Sequence, residues 1–420
     1  MFDNNWQWRK DAWNRIENIR KGDINVIVKD SSGNPINGAE VNVNMYEHEF
    51  QWGTAINRSV LSKNTDSVNY RAGLSSLFNS VVLESAHKWT LYEEDPTNAR
   101  QQINMAKALG IKYLRGHALM WDRPFENDIW VSNSTIPQDL FNLYLSGPGN
   151  KAALDTRIQG YISDITGAFK NGDKIVDWDV LNEPLNNHAI LEKYGGPHVV
   201  DKIPIIKQWF DWARLGAGKD TQLYINETAI TGNPDERTRL DWFKTHLSDM
   251  VAGNVDFDGI GIQGHFINNK VSPEAFYDYL AELAAYDKEM KVTEFDMSSD
   301  LSADREYEAS FMRDVMIAAF SLENINGFTT WGFWSGSHWL NNAPIYNADW
   351  SLKDSGKQYI DLVYNKWWTQ ESGATSSNGK YSTVGYYGDY DITVSANGKT
   401  KTIEARCYKG QNNTITITLD

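Results

Sequence analysis

Trp178-Asp179-Val180-Leu181-Asn182-Glu183-Pro184 and, further along, Lys291-Val292-Thr293-Glu294-Phe295-Asp296 are the stretches on which the reading of this chain turns. Each passes through a short apolar, β-prone run and reaches a glutamate, and in an α/β protein the strand ends are where reactive side chains collect. Taken bare, a glutamate after a buried strand is no more than a polar strand terminus. Two of them facing one another have the makings of glycosidic hydrolysis: a sugar alkoxide leaves poorly unless protonated, and an oxocarbenium-like transition state needs an anion on its other face. One carboxyl must then be held protonated and the other ionised.

Working outward, the same alternation of short apolar runs with helical stretches fills the middle of the chain. Gln51–Ala55, Val81–Leu83, Tyr113–His117, Val176–Val180, Leu223–Asn226, Gly259–Ile262, Lys291–Thr293 and Gly327–Trp331 make eight strand candidates, nearly all ending in polar or aromatic residues. Eight βα units with such ends predict a (β/α)8 TIM barrel whose working face is built from the C-terminal strand ends. Ser272-Pro273-Glu274 supplies a helix start of cap, first-turn proline and acid.

The termini read differently. Ile24–Val28 and Ala39–Met45 alternate with period two around the turn-rich Asp30–Pro35, and Tyr390–Val394, Lys401–Ala405 and Thr414–Leu419 do the same around an Asn397-Gly398 hairpin signal. A two-stranded hairpin is marginal alone. The N-terminal strands are therefore expected to join the C-terminal ones in one small accessory β-sandwich-like domain, with residues 1–45 and 371–420 in that domain and 46–370 in the barrel; Glu371–Gly379 reads as a linker or long loop. An independent C-terminal binding module of about fifty residues is the competing arrangement.

Of the 420 residues, 17 are Trp, 20 Tyr and 16 Phe; aromatic rings stack on sugar C–H faces, although most rings in any protein are core. The formal net charge of −15 argues against a nucleic-acid partner, and a neutral polysaccharide is indifferent to it. Lone Cys407 excludes an intramolecular disulfide. The start, Met1-Phe2-Asp3-Asn4-Asn5, carries no signal-peptide pattern and no run of about 18 apolar residues is present, so no membrane contact is expected and a secreted mature chain would look the same. There is no His-Glu-x-x-His, clustered Cys/His, calcium loop, Gly-x-Ser-x-Gly elbow or phosphate-cradling loop, so neither metal nor cofactor is implied.

In order along residues 46 to 368, Lys88-Trp89, Arg115-Gly116-His117 with Trp121, the run ending at Glu183, Asn226-Glu227, Gly261-Ile262-Gln263-Gly264-His265, Thr293-Glu294-Phe295-Asp296 and Trp331-Gly332 resemble glycoside hydrolase family 10, best known for retaining endo-β-1,4-xylanases. The resemblance implies Glu183 as general acid/base and Glu294 as nucleophile, with no cofactor, a xylan-like polysaccharide as partner, a monomer and secretion. It implies that Asn182 reaches the sugar 2-hydroxyl and that His265 and Asp296 keep Glu294 ionised and oriented, since hydrogen bonds to the charged form lower a carboxylate pKa. Partial burial beside aromatics would give Glu183 the higher value. Glu84, Lys88, His117, Trp121, Asn226 and Gln263 match substrate-binding positions, and Trp331 and Trp339 match aromatic walls. Without the family, His265 reads equally well as a satisfied core histidine, and the other polar residues as solvated or capping groups.

The chain also departs from the common xylanase pattern. Ser85 stands where an asparagine normally follows the glutamate, Asp122-Arg123-Pro124 replaces His-Ser-Gln, and Asn226-Glu227-Thr228 replaces Asn-Asp-Tyr, closer to the plant-like branch of the family. These departures leave open a hydrolase of another or decorated β-glycan, and a carbohydrate-binding protein without turnover. Sequons at Asn57, Asn133, Asn226 and Asn412 are short enough to arise by chance.

Overall fold

The computed structural model describes residues 6–122, 135–146, 150–171, 174–195, 199–267, 271–298, 305–340 and 342–420; Arg123, Pro124 and the sequon at Asn133 lie outside them. After a first helix, Gln7–Ile19, come strands β1 (Lys21–Asp30) and β2 (Glu40–His48). The next are β3 (Gln51–Ile56), β4 (Ser80–Leu83), β5 (Tyr113–Gly116), β6 (Asp177–Asn182), β7 (Gln222–Glu227) and β8 (Gly259–Ile262). A short β9 (His265–Ile267) precedes β10 (Glu289–Ser298) and β11 (Ile325–Thr330), and β12 (Gln370–Ala374), β13 (Lys380–Tyr386), β14 (Gly388–Ala396), β15 (Lys399–Cys407) and β16 (Thr414–Leu419) complete the chain. The chain divides into two compact units, one of residues 52–304 and 324–353, the other of residues 1–51, 305–323 and 354–420.

In the first unit β3, β4, β5, β6, β7, β8, β10 and β11 pair in that order and β11 returns to β3, which closes an eight-stranded parallel barrel. All eight strands foreseen in the sequence are present. Each lies between two neighbours and under helices, which is why these strands read as near-continuous apolar runs. The helix Pro273–Ala284 begins as foreseen, with the Ser272 hydroxyl accepting from Ala275 N at 3.0 Å.

Charge, not only apolar packing, fills part of the barrel interior. Arg115 on β5 donates to Asp177 at 2.5 Å and to Asp179 at 2.9 Å on β6, and Lys291 on β10 donates to Asp177. All four side chains are buried. Burial alone would push the Asp177 carboxyl up, but the adjacent Arg115 and Lys291 charges hold it below the usual range. Removing one member of such a network leaves an uncompensated buried charge, at a cost of about 3–5 kcal/mol.

In the second unit the two termini interleave. β1 lies between β13, antiparallel, and β16, parallel; β2 lies between β12 and β14, both antiparallel, with β15 beyond β14. Ile24, Val26 and Val28 of β1, Val41, Val43 and Met45 of β2, and Tyr390, Ile392 and Val394 of β14 point alternately inward and are buried. The Asn397-Gly398 turn has φ of 52° and 77°, the left-handed pair that a two-residue hairpin requires. Two expectations change. Residues 370–374 are no linker but strand β12, held by register from Gln370↔Asn44 to Ala374↔Glu40, and the Gln7–Ile19 helix was not foreseen. That helix is anchored by Arg9, which forms a two-pronged pair with buried Asp314 at 2.8 and 2.7 Å.

Deleting residues 371–420 strips both partners from β1 and leaves β2 without β12 and β14. The shortened chain is expected to be insoluble or to unfold well below the intact one; a soluble, cooperatively melting product in a calorimetric scan would contradict the interleaved arrangement.

Candidate active site

β6 ends in Asn182 and hands the chain to Glu183, whose φ of 53° is left-handed. That conformation costs a non-glycine residue about 1–3 kcal/mol, so surrounding bonds must impose it. Glu183 N donates to Asn226 O at 2.8 Å, and Asn187 N donates to Glu183 O at 2.8 Å. The carboxylate receives two neutral amides, Gln263 Nε2 at 2.8 Å on Oε1 and Asn187 Nδ2 at 2.6 Å on Oε2.

Glu294 sits where β10 passes from pairing with β8 to pairing with β9, and it is buried. Asn226 Nδ2 donates to its Oε1 at 2.8 Å, His265 Nε2 lies 3.3 Å from Oε2, and His117 Nδ1 lies 3.8 Å from Oε1. Burial would raise this carboxyl; the charge of His117, the hydrogen bond and charge of His265, and the charge of Lys88 outweigh it and hold it down at about 2. His265 in turn bonds Asp296 through Nδ1 at 2.9 Å. Burial would depress its imidazole, but Asp296 and Glu294 raise it to about 10, so it rests as a cation. Trp339 Nε1 donates to the other Asp296 oxygen at 2.9 Å.

Gln263 joins the two glutamates: its side chain donates to Glu183, and its carbonyl accepts from Glu294 N at 2.8 Å. Both carboxyls open into one cavity of about 560 Å³, whose walls include Glu84, Lys88, His117, Trp121, Gln263, His265, Trp331 and Trp339. Lys88 Nζ lies 4.8 Å over the Trp121 ring, and Trp331 meets His117 edge-on at 5.1 Å. Trp339 is half exposed and Trp331 nearly buried, so one wall is fixed and the other faces solvent.

Asn182, Asn226 and Asp296 lie behind that wall. The Asn226 amide is fully buried: Nδ2 serves both Asn182 Oδ1 at 2.8 Å and Glu294, while Oδ1 accepts from Thr293 at 2.7 Å. A Cβ on Gly261 would fall 2.3 Å from Asn226 Oδ1, so glycine there makes room for the amide. Such burial also removes Asn226 as a glycan acceptor in the folded chain. Asn182 Nδ2 is left without a hydrogen-bond partner among the described residues.

Sequence reasoning missed four contributors. Asn187 holds Glu183; Asp179 holds His117 Nδ1 at 2.9 Å; Asn57 Nδ2 holds Glu84 at 2.9 Å; and Glu227 lies buried behind Glu183. A signal existed for Asp177 and Asp179, since two acids alternating through an otherwise apolar strand imply buried partners. Ser85 lines a second polar cavity with Asn57, Arg58, Asp95 and Ser337. Among the described residues no group of three or more His, Cys, Asp or Glu is arranged to hold a metal ion.

Comparisons with known proteins bear on the fold and the family. The chain is 28% identical over 405 residues to the anti-sigma-I factor RsgI6 of Acetivibrio thermocellus, covering 94% of this chain and 48% of that protein. It is 24% identical over 411 residues to endo-1,4-beta-xylanase 1 of Arabidopsis thaliana, covering 97% and 40%. It therefore spans less than half of the length of either relative. Among solved structures, xylanase 10B of Thermotoga petrophila in complex with xylobiose superposes with a TM-score of 0.60 at 16% identity, covering 76% of this chain and 95% of that one. A family 10 structure from Paenibacillus barcinonensis gives 0.61 at 20%, with the same coverage. At those identities the superpositions speak for the barrel alone. The glycosyl hydrolase family 10 profile matches residues 42–362, three quarters of the chain and every strand of the barrel, and by that match this chain belongs to glycosyl hydrolase family 10.

Proposed function

We propose that this chain is an endo-β-1,4-xylanase that cleaves internal bonds of xylan with retention of configuration. One observation carries the reading: two glutamates share a cavity, and their surroundings divide their roles. Glu294 is held ionised beside His265 and His117, which suits a nucleophile, whereas Glu183 accepts from the neutral amides of Gln263 and Asn187 and has no salt-bridge partner among the described residues, which distinguishes it from Glu294 and leaves it the acid/base role. The xylanase relatives and the family match support the substrate.

In this mechanism a Glu294 oxygen attacks the anomeric carbon as its bond to the leaving oxygen breaks, and Glu183 passes its proton to that oxygen. A glycosyl ester on Glu294 results. Water then attacks the same carbon, gives its proton to Glu183, and releases Glu294 as carboxylate. Asn226 fixes the Asn182 amide by its oxygen behind the cavity wall and leaves Asn182 Nδ2 without a partner among the described residues. Glu84, Lys88 and Gln263 offer hydrogen bonds to the sugar before the scissile bond, with Trp331 and Trp339 as its walls. A polysaccharide too large to enter a cell fits work outside it. Among the described residues no helix is long and apolar enough to cross a membrane.

The anti-sigma relative motivates a second reading, in which a polysaccharide is bound for sensing rather than cut. The presence of both carboxylates favours turnover. Reducing-sugar release from xylan by the intact chain, with Glu294→Ala beside it, decides: the variant should lose roughly 10⁴-fold or more in kcat. Tight xylan binding with no sugar released by the intact chain would leave only the sensing reading.

The pH dependence follows from the same charges. Glu294, depressed to about 2, contributes stability that is complete above its ordinary 4.5 and is lost as pH falls toward about 2. His265, raised to about 10, contributes stability that is complete below its ordinary 6.5 and is lost as pH rises through about 10. Replacing His265 with Asn removes one cause of the depression, and the acid limb of the kcat/KM profile should move up toward the ordinary glutamate value of 4.5. An unmoved limb would mean that His265 does not hold the nucleophile ionised.

A further inference from the structure

The segment that follows Glu183 is suspended between two buried carboxyls that take no part in the mechanism above. Glu227, at the end of β7, accepts from Leu185 N at 3.1 Å through Oε2 and from Thr228 N at 2.8 Å through Oε1. Asp122, after β5, accepts from Ile190 N at 2.6 Å through Oδ2. Glu227 is fully buried and Asp122 is 1% exposed. Neither has a salt-bridge partner among the described residues, an unusual state for a buried acid. Between these anchors, Arg239 donates to Asn186 Oδ1, and His188 Nδ1 lies 3.1 Å from Pro184 O. The strained residue of this stretch is Glu183, with its left-handed φ of 53°.

We infer that Glu227 and Asp122 are positioning residues for Glu183: by gripping the backbone at Leu185 and Ile190 they hold the 183–190 segment in the conformation that aims the Glu183 carboxyl at the leaving oxygen. The inference rests on Glu183 being the general acid/base. A side-chain amide would not have attracted notice at either position, because a neutral acceptor is all the backbone requires. Burial supplies that neutral acceptor: it pushes Glu227 up to about 8, against the pull of Arg239 and with a push from Glu183, and pushes Asp122 up to about 8 as well, with Glu192 adding to it. Both are therefore mostly protonated at neutral pH; both Glu227 oxygens face backbone N–H groups, of Leu185 and Thr228, and Oδ2 of Asp122 faces that of Ile190. His188 faces the Asp122 strand in a β-bridge.

A group that positions the general acid matters in proportion to how much the leaving group needs a proton. The test is kcat/KM at pH 6 for unactivated xylotetraose and for a dinitrophenyl xylobioside, whose phenolate leaves unaided, with the intact chain, Glu183→Ala, Glu227→Ala and Glu227→Gln. Glu227→Ala is expected to lose about 10²-fold on xylotetraose and less than about fivefold on the activated glycoside. Glu227→Gln, which keeps an acceptor for Leu185 N and gives up only the one for Thr228 N, should return to within about threefold on both. If Glu227→Ala does not fold, Asp122→Ala releases the other anchor and should show the same asymmetry. Equal losses on both substrates, or no loss, in the variant that folds would reduce these residues to packing and overturn the inference. Loss of asymmetry in Glu183→Ala itself, or no turnover by the intact chain, would instead overturn the acid/base assignment on which it stands.

Discussion

The working face of this protein depends on a line of buried charge that starts inside the barrel. Lys291 meets Asp177, Asp177 meets Arg115, Arg115 meets Asp179, and Asp179 meets His117, which reaches toward Glu294. Arg115 and Lys291 stand against two aspartates before the ladder reaches the histidine. In a medium of low dielectric each rung is strongly coupled to the next, and none of these residues has freedom to rotate away without stranding a neighbour. His117 therefore presents a fixed ring to the nucleophile. β5 and β6 are neighbours and β10 lies three strands further round the barrel, yet the ladder ties all three together.

From that base the two glutamates acquire unlike surroundings although both emerge from strand ends of the same sheet. Glu294 collects imidazoles, an ammonium and an amide; Glu183 collects amides alone. Gln263 and Asn226 each touch the neighbourhoods of both, and each stands at a point where the backbone has no side chain to spare: Asn226 needs glycine at 261, and Gln263 is followed by Gly264 with a φ of 77°. Small residues here serve the placing of polar ones.

The eight barrel strands were legible because a strand buried on both sides must be apolar along its length, and that pattern is local. The two glutamates were legible because they interrupt it. The ladder was only half visible: Asp177 and Asp179 announce buried partners, but their cations come from Arg115 and Lys291, and pairings over such separations are set by barrel register, which no local pattern carries. Asn226 matches a substrate-binding position of the family, whereas its amide here is buried and bonded to Glu294. Glu371–Gly379 looked like a linker because Ser and Gly weaken strand propensity, whereas the pairing of β12 with β2 overrides it. Loop conformations such as Glu183 at positive φ leave no trace in composition at all.

The interleaving of the termini carries a temporal consequence. Asn25 of β1 bonds Ser382 of β13, 357 positions later, and β16, its other neighbour, comes later still. On a ribosome adding about 5–20 residues per second, β1 waits roughly 20–70 s for its first partner. During that interval two strands with buried-type valines and open edges are held outside any sheet, while the barrel sequence emerges behind them. The terminal domain is thus the later of the two units able to assemble: a product cut short before β13 keeps β1 unpaired and exposed, where chaperones and proteases recognise it.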